Sequence, residues 1–235
     1  MKKLWLFDLD DTLHDATHAS FGHTSEAMTE YIAELLSLPQ AEASALRQQD
    51  WSRYGATLLG LVRHHHVDAA HFLRETHRLP GLEDRLRASR HDHAALKRLR
   101  GRKFVLTNAP QAYAWRVLTA LRLADCFDGV IGIEDMTMFG QHRPKPDARM
   151  FRHIAARLRV PAARCVLVED TLEHQRSARR VGMRTVWMRG YLRRTGAQPP
   201  ATGVHPCRKP AYVCAKIIRL KTLLSLWPSP VFHAP

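Results

Sequence analysis

The sequence predicts an α/β protein in which an all-helical segment interrupts a parallel sheet after its first strand. Three observations carry this prediction. Residues from about 21 to 80 show helical hydrophobic spacing throughout, and after about residue 90 short apolar runs alternate with helical segments. Two carboxylates, Asp8 and Asp10, stand two residues apart directly after the apolar run at 4–7.

The run at 4–7, Leu-Trp-Leu-Phe, has the composition of a buried strand. Residues i and i+2 of an extended backbone point to the same side, so Asp8 and Asp10 face one site past the strand end. Ligands of open α/β sheets bind at this edge. Two like charges so close are costly unless a cation or a shared proton relieves them, which favours a functional site. The same residues also suit an acidic turn that caps a helix.

Four helices are predicted between about residues 21 and 80 from their apolar spacing. Their ends fall at Pro39, at Gly55, in the histidine run 64–66 and before Pro80. Asp68 is the expected N-cap of the fourth helix, which covers 68–79. We therefore expect residues 14–89 to form a helical cap domain that covers the acidic site.

The rest of the chain alternates strands and helices. Strands are predicted at 103–106, 129–133, 164–168 and 184–188, and helices at 112–121, 147–158 and 172–181. Strands separated by helices of this length imply βαβ units and a parallel sheet. We expect a Rossmann-like three-layer core built from residues 1–13 and 90–235, with a loop at 195–210 before a last strand and helix.

Further polar residues follow these strands or precede the next helix. Thr107 and Asn108 follow the second strand, and a helix-preceding loop holds Lys145 between two prolines that fix its direction. Glu169 and Asp170 follow the strand at 164–168. Each has a simpler interpretation, a turn residue for Thr107, a surface charge for Lys145, and a helix N-cap for Asp170. Their ordered combination is far more specific than any one of them.

The chain is strongly basic. Its 36 basic and 22 acidic residues give a formal net charge of +14, which favours anionic partners, either phosphorylated small molecules or nucleic acid. We see no helix-turn-helix, RNA-binding or zinc-finger signature, so no nucleic acid is expected. The apolar stretch 211–227 is broken by Lys216, Arg219 and Lys221, so no membrane span is expected. The oligomeric state does not follow from the sequence.

The cysteine pattern predicts a cytoplasmic protein. Cys126, Cys165, Cys207 and Cys214 form no CxxC pair, and Cys165 lies in a predicted buried strand. The residues before the first strand are too few for a signal peptide.

The ordered polar set resembles the haloacid dehalogenase superfamily of phosphatases over nearly the whole chain. The four superfamily motifs match Asp8, Asp10 and Thr12; Thr107; Lys145; and Glu169 with Asp170. The helical insertion resembles the superfamily's α-helical cap. Segments 7–14, 54–62 and 168–173 look closest to bacterial pyrimidine 5′-nucleotidases, although His174 stands where such proteins often have Asn.

This resemblance implies a Mg²⁺-dependent phosphomonoester hydrolase. Asp8 would attack phosphorus to form an aspartyl-phosphate, and Asp10 would move the protons. The remaining implied roles are Mg²⁺ binding by Asp8, the Asp10 carbonyl, Asp170 and Glu169 (directly or through water), and phosphate binding by Thr107, the Asn108 backbone and Lys145.

The implied substrate is a small phosphate monoester, a pyrimidine nucleotide in the first hypothesis. Candidate substrate residues are His14 and Tyr54, together with Asp15, Trp51 and the segment 55–62. The second hypothesis is the same chemistry on phosphoglycolate or a sugar phosphate. The third is a basic nucleic-acid-binding protein with a decayed site, against which the complete motif set argues.

Overall fold

The computed structural model describes residues 3–87, 89–191 and 208–227. Its strands are β1 (Leu4–Phe7), β2 (Arg102–Leu106), β3 (Gly129–Ile131), β4 (Thr137–Met138), β5 (Gln141–His142), β6 (Cys165–Glu169), β7 (Arg184–Met188) and β8 (Ala215–Ile217). Six of them form a parallel sheet in the order β3-β2-β1-β6-β7-β8, which confirms the predicted parallel core. The strands β4 and β5 form a separate antiparallel hairpin that the sequence pattern did not reveal.

Helices lie on both faces of the sheet and in the insertion. They are α1 (Ala16–Ala19), α2 (Phe21–Leu36), α3 (Gln40–Tyr54), α4 (Thr57–His65), α5 (Ala69–Thr76), α6 (Leu82–Arg85), α7 (Arg90–Arg98), α8 (Gln111–Ala120), α9 (Ala148–Arg157), α10 (Leu172–Arg180) and α11 (Thr222–Leu226). None of the helices in the described ranges is both long and apolar enough to cross a membrane.

Most predicted elements are confirmed to within two residues, and two of the predicted ends need correction. The predicted strand 129–133 ends at Ile131, because residues 133–135 form a 3₁₀ turn. The helix predicted at 68–79 ends at Thr76, although Asp68 is its N-cap and accepts hydrogen bonds from the N–H groups of Ala70 and His71. The loop predicted at 195–210 lies mostly outside the described residues, as does Cys207.

The central strand β1 packs on both faces of the sheet. Trp5 and Phe7 point into one hydrophobic cluster and Leu4 and Leu6 into another, as the alternation of a strand requires. All four side chains are at most 1% exposed, and burial of each stabilises the fold by roughly 1.5–3 kcal/mol. Helices cover both faces, so the fold is a Rossmann-like three-layer α/β architecture.

The helical insertion has a hydrophobic cluster to which one residue from outside it, Ile133 of the 3₁₀ turn, also belongs. Ile32, Leu61 and Phe72 lead a third cluster, built mainly from α2, α4 and α5. Leu79 and Leu82, in contrast, pack into the cluster that contains Trp5 and Phe7. The last residues of the insertion, including α6, therefore pack against the sheet and are part of its hydrophobic core.

Candidate active site

Three neighbouring strands deliver polar side chains to one edge of the sheet. The strand β1 lies in parallel register between β2 and β6. Asp8 follows β1, Thr107 follows β2, and Glu169 ends β6. The backbone N–H of Asp8 donates to the carbonyl of Val168 at 2.9 Å, which continues the sheet pairing to the first carboxylate. The predicted meeting of these residues is therefore observed.

Lys145 lies between two of these carboxylates. Its Nζ donates to Asp8 Oδ1 at 2.6 Å and to Glu169 Oε2 at 2.8 Å. The lysine is 1% exposed and Glu169 is fully buried. The interpretation of Lys145 as a surface charge is therefore wrong, because its ammonium group is enclosed in the site.

Asn108 fixes the backbone of that lysine. Its side-chain Nδ2 donates to the carbonyl of Lys145 at 2.9 Å, and its Oδ1 accepts the backbone N–H of Lys145 at 2.9 Å. The side-chain amide thus satisfies both backbone polar groups of one buried residue. Sequence reasoning assigned only the Asn108 backbone to the site and missed this role of the side chain.

Burial and charge control the ionisation of these groups. Burial raises the pKa of Asp8 well above its usual range, and the Glu169 charge adds to this while Lys145 opposes it. Burial, then the charges of Glu169 and Asp8, likewise raise the pKa of Asp170. Burial also acts to raise the pKa of Glu169, but Lys145 and His174 outweigh it and hold that pKa well below the usual range. Glu169 and Lys145 are therefore an ion pair, and the charges of Asp8 and Asp170 are poorly compensated.

The acidic cluster suits a hard cation. Asp8, Glu169 and Asp170 each bring a carboxylate oxygen within 4.8 Å of the others. Glu169 is already engaged, because its Oε1 accepts the N–H of Thr171 at 3.1 Å and its Oε2 accepts from Lys145. An all-oxygen set with excess negative charge suits Mg²⁺, and Asp8 and Asp170 would be its more available direct ligands.

The simpler interpretation of Asp170, as the N-cap of α10, is wrong. The N-cap of that helix is Thr171, whose own side chain makes no capping hydrogen bond. The Asp170 backbone carbonyl instead accepts the indole N–H of Trp187 at 2.8 Å. This contact holds the backbone of Asp170 in place while its side chain lies beside Asp8 and Glu169.

Helix α10 supports the other acidic residue. His174 Nδ1 lies 3.1 Å from Glu169 Oε2, and Gln175 Nε2 donates to the Glu169 carbonyl at 2.7 Å. His174, which stands where the nucleotidases often have Asn, thus places an imidazole directly against the acidic pair. Gln175 was missed, because nothing in the helical spacing distinguishes it from other polar residues.

Asp10 is held by two donors on the same oxygen. His14 Nε2 and the Tyr113 hydroxyl each lie 2.9 Å from Asp10 Oδ1. His14 is fully buried, and because a carboxylate oxygen can only accept, its Nε2 is the donor in this contact. The predicted role of His14 as a substrate contact does not suit this position, where it orients Asp10. Tyr113 was missed, because it is 103 residues from Asp10 in the chain.

Two threonines and a third aspartate complete the sheet edge. Thr107 is 1% exposed, and its Oγ1 accepts the N–H of Ala109 at 3.0 Å. Thr12 is equally buried, and its hydroxyl has no partner among the described residues. Asp11 adopts a left-handed φ of 54°, and its carboxylate accepts the backbone N–H of Thr17 at 3.0 Å. Asp11 therefore stabilises the first turn of the insertion.

The candidate substrate residues of the insertion differ in their surroundings. The Tyr54 hydroxyl lies 2.6 Å from His64 Nε2, and the Trp51 side chain is 65% exposed. Asp15 caps α1 by accepting the N–H of His18, which gives it a structural role.

The turn between α3 and α4 lies beside the loop that holds Lys145. A Cβ atom placed on Gly55 would lie 3.5 Å from Cδ of Pro146, the residue after Lys145. Gly55 has a φ of 81°, which favours glycine there. The start of the segment 55–62 thus lies beside Pro146, the residue that follows Lys145.

Comparison with known proteins identifies relatives of this arrangement. A model of the haloacid dehalogenase-like hydrolase family matches residues 2–182. The fold is similar to that of a haloacid dehalogenase phosphatase from Thermococcus onnurineus, with a TM-score of 0.62 and 20% identity over 96% of this chain and 97% of that chain.

Two further solved structures share the fold. The hydrolase YfnB from Bacillus subtilis, bound to magnesium, gives a TM-score of 0.59 and 17% identity over 97% of this chain and 99% of that one. A 2-haloacid dehalogenase from Pseudomonas syringae pv. Tomato gives a TM-score of 0.57 and 22% identity over 96% of this chain and 98% of that one. Both phosphatases and dehalogenases are therefore found on this fold.

Replacement of Asp170 by Asn should raise the melting temperature of the metal-free protein. The raised pKa of Asp170 means that its ionised form destabilises the fold at pH 7, and the Asn side chain removes that charge. A gain of about 1 kcal/mol corresponds to a rise of about 2–4 °C for a chain of this size. Differential scanning calorimetry in EDTA measures it.

The Asp170→Asn difference should shrink as the pH falls toward about 4, where an unfolded carboxyl takes up its proton. Asp147→Asn is the matched control, because the pKa of Asp147 is lowered by Arg149 and Arg143 against the effect of burial. That control should not raise the melting temperature. An unchanged or lower melting temperature for Asp170→Asn would contradict the electrostatic account.

Proposed function

This chain belongs to the haloacid dehalogenase-like hydrolase family, and we propose that it is a Mg²⁺-dependent phosphatase of pyrimidine nucleoside 5′-monophosphates. The observation that supports phosphoryl transfer best is the buried Lys145 ammonium between Asp8 and Glu169, with Asp10 two residues beyond Asp8. This set supplies a nucleophile, an anion-balancing charge and a proton-transfer group at one edge of the sheet.

Asp8 is the nucleophile in this proposal. One of its oxygens attacks phosphorus, the bond from phosphorus to the leaving oxygen breaks, and an aspartyl-phosphate forms. Lys145 opposes the rise that burial causes in the Asp8 pKa, which favours the ionised nucleophile, and it balances charge on the phosphate oxygens. The Thr107 hydroxyl and the Asn108 backbone N–H hold non-bridging oxygens. Water then attacks the aspartyl-phosphate to release phosphate and restore Asp8.

Asp10 moves the protons of both steps. It protonates the leaving alkoxide in the first step and takes a proton from the attacking water in the second. His14 and Tyr113 occupy Oδ1, so Oδ2 is the oxygen that meets the substrate. The two contacts thus select one carboxylate oxygen for proton transfer.

The donor set fits Mg²⁺. Asp8, Asp170 and the backbone carbonyl of Asp10 would hold the ion, and Glu169 would act through water because its oxygens are engaged. When bound, the ion neutralises charge on the phosphate and on the carboxylates. With the cation, three carboxylates and one ammonium sum to zero formal charge, so a phosphate dianion is not repelled from the site.

The pyrimidine nucleotide is proposed from the resemblance of segments 7–14, 54–62 and 168–173. In support, the turn at Gly55 lies beside Pro146, where it can contact the part of a substrate beyond its phosphate. We propose that residues 14–89 act as the cap that selects the leaving group. Phosphoglycolate and sugar phosphates are the alternative substrates of the same chemistry. Dehalogenation is less favoured, because halide needs no proton from Asp10.

A phosphate-release screen tests the proposed activity and substrate. With UMP, CMP, dTMP, AMP, phosphoglycolate and glucose phosphates, we expect turnover that requires Mg²⁺ and is fastest for the pyrimidine nucleotides. Asp8→Asn should abolish release, since the nucleophile is lost. Turnover of phosphoglycolate as fast as that of the pyrimidine nucleotides, or faster, would contradict the proposed substrate class. Salt-dependent binding of RNA or DNA, with no release of phosphate from any of these substrates, would contradict the proposed phosphatase activity.

Tyr113→Phe tests the orientation of Asp10. Loss of one hydrogen bond to a charged group costs about 1.5–3 kcal/mol, so kcat/KM for a nucleotide should fall about 10- to 150-fold. For p-nitrophenyl phosphate the decrease should be much smaller, because its leaving group departs without protonation. Tyr31→Phe, which removes a hydroxyl 2.9 Å from His71 Nδ1, is the matched control. Equal decreases for both substrates would show that Tyr113 does not act through Asp10.

A further inference from the structure

A second group of ligand-type side chains lies at the opposite edge of the sheet. His93 is on α7, and Asp125 and Cys126 are in the 3₁₀ turn shortly before β3. Parallel strands start at this edge, whereas Asp8 and Glu169 lie where strands end. The cluster is thus separate from the proposed phosphatase site, and nothing in the proposed mechanism uses it.

Two of the three separations between ligand atoms match tetrahedral metal coordination. Bond lengths of about 2.0–2.1 Å for nitrogen or oxygen and about 2.3 Å for sulfur give tetrahedral separations of about 3.3 Å between N and O and about 3.6 Å between S and O. His93 Nε2 lies 3.3 Å from Asp125 Oδ1, and Cys126 Sγ lies 3.7 Å from the same oxygen. All three atoms fall within 4.8 Å of one another.

The donor types distinguish this group from a magnesium site. Imidazole, thiolate and a single carboxylate suit Zn²⁺ and similar transition metals, whereas Mg²⁺ prefers oxygen ligands. Lys97 Nζ contacts Asp125 Oδ2 at 2.6 Å, so it holds the second oxygen and leaves Oδ1 to the metal. The side chains of His93 and Asp125 are 45% and 61% exposed, which opens the fourth coordination position to water.

We propose that His93, Asp125 and Cys126 bind one Zn²⁺ ion, which links α7 to the turn before β3. The Cys126 thiol releases its proton to solvent as the zinc–sulfur bond forms. Helix α7 is the first helix after the chain returns from the insertion, so the ion stabilises the point at which the insertion joins the sheet. Binding to the folded state alone raises the free energy of unfolding.

Burial, reinforced by the Asp125 charge, raises the pKa of Cys126 to about 11. The apoprotein therefore carries a thiol at neutral pH, and the three side chains interact as a hydrogen-bonded cluster. That cluster is the alternative to a metal site. The two differ in spectroscopy, because only a metal site places a thiolate on the ion.

Cobalt substitution in excess Mg²⁺ tests the proposal. After treatment of the full chain with a chelator and its removal, Co²⁺ should give a thiolate charge-transfer band and visible bands of tetrahedral intensity at one equivalent. Zn²⁺ should displace it and raise the melting temperature. Cys214→Ser is the matched control, since it removes an exposed thiol outside the cluster, and it should leave the spectrum unchanged.

Two ligand variants decide the outcome. His93→Gln alters an exposed side chain and should weaken Zn²⁺ binding at least about 100-fold. Loss of a residue that only hydrogen-bonds to a metal ligand typically costs about 10- to 100-fold. Cys126→Ser should remove the thiolate band. Absence of that band in the wild-type protein, or its persistence in both variants, would overturn the proposal. Phosphate release by the wild type in Mg²⁺ is measured in parallel, so that failure of the zinc site and of the phosphatase are separate results.

Discussion

The interaction on which the site depends is the contact of one buried ammonium group with two carboxylates. Lys145 lies 2.6 Å from Asp8 and 2.8 Å from Glu169, and it is 1% exposed. An unpaired carboxylate at such depth costs several kcal/mol. Lys145 compensates one of the three carboxylates, and the remaining negative charge is the charge that the proposed Mg²⁺ ion would neutralise. The free energy of unfolding is therefore lower than it would be if uncharged side chains filled this site.

Asp10, the proposed proton-transfer group, is held by a different part of the chain. Asp10 is oriented by His14 and by Tyr113, whose hydroxyl also lies 2.9 Å from Ser20 Oγ. His14 and Ser20 belong to the first residues of the insertion, and Tyr113 belongs to α8. The position of Asp10 is therefore linked to the point where the insertion leaves the sheet. The insertion, which we propose selects the substrate, therefore also helps to orient Asp10, the proposed acid.

The sequence predicted the features that follow from local chemistry. Alternation along β1 identified the buried strand, and strand ends identified Asp8 and Glu169. Features set by tertiary contacts were missed, such as the hydrogen bonds that Asn108 makes to the Lys145 backbone, because they depend on where two loops meet. Helices of four residues, like α1, carry too few residues for a hydrophobic period. The contact of Tyr113 with Asp10 joins residues 103 positions apart and has no local signal.

The central claim is that Asp8 is the nucleophile of phosphoryl transfer. The most direct test is a single turnover quenched in acid, followed by mass spectrometry of the peptide that contains Asp8. A substrate with a good leaving group lets the intermediate accumulate before water attacks it. We predict one phosphoryl group on Asp8, removable by hydroxylamine and absent from Asp8→Asn. Phosphate release with no phosphorylated Asp8 at any quench time, and undiminished in Asp8→Asn, would contradict the account.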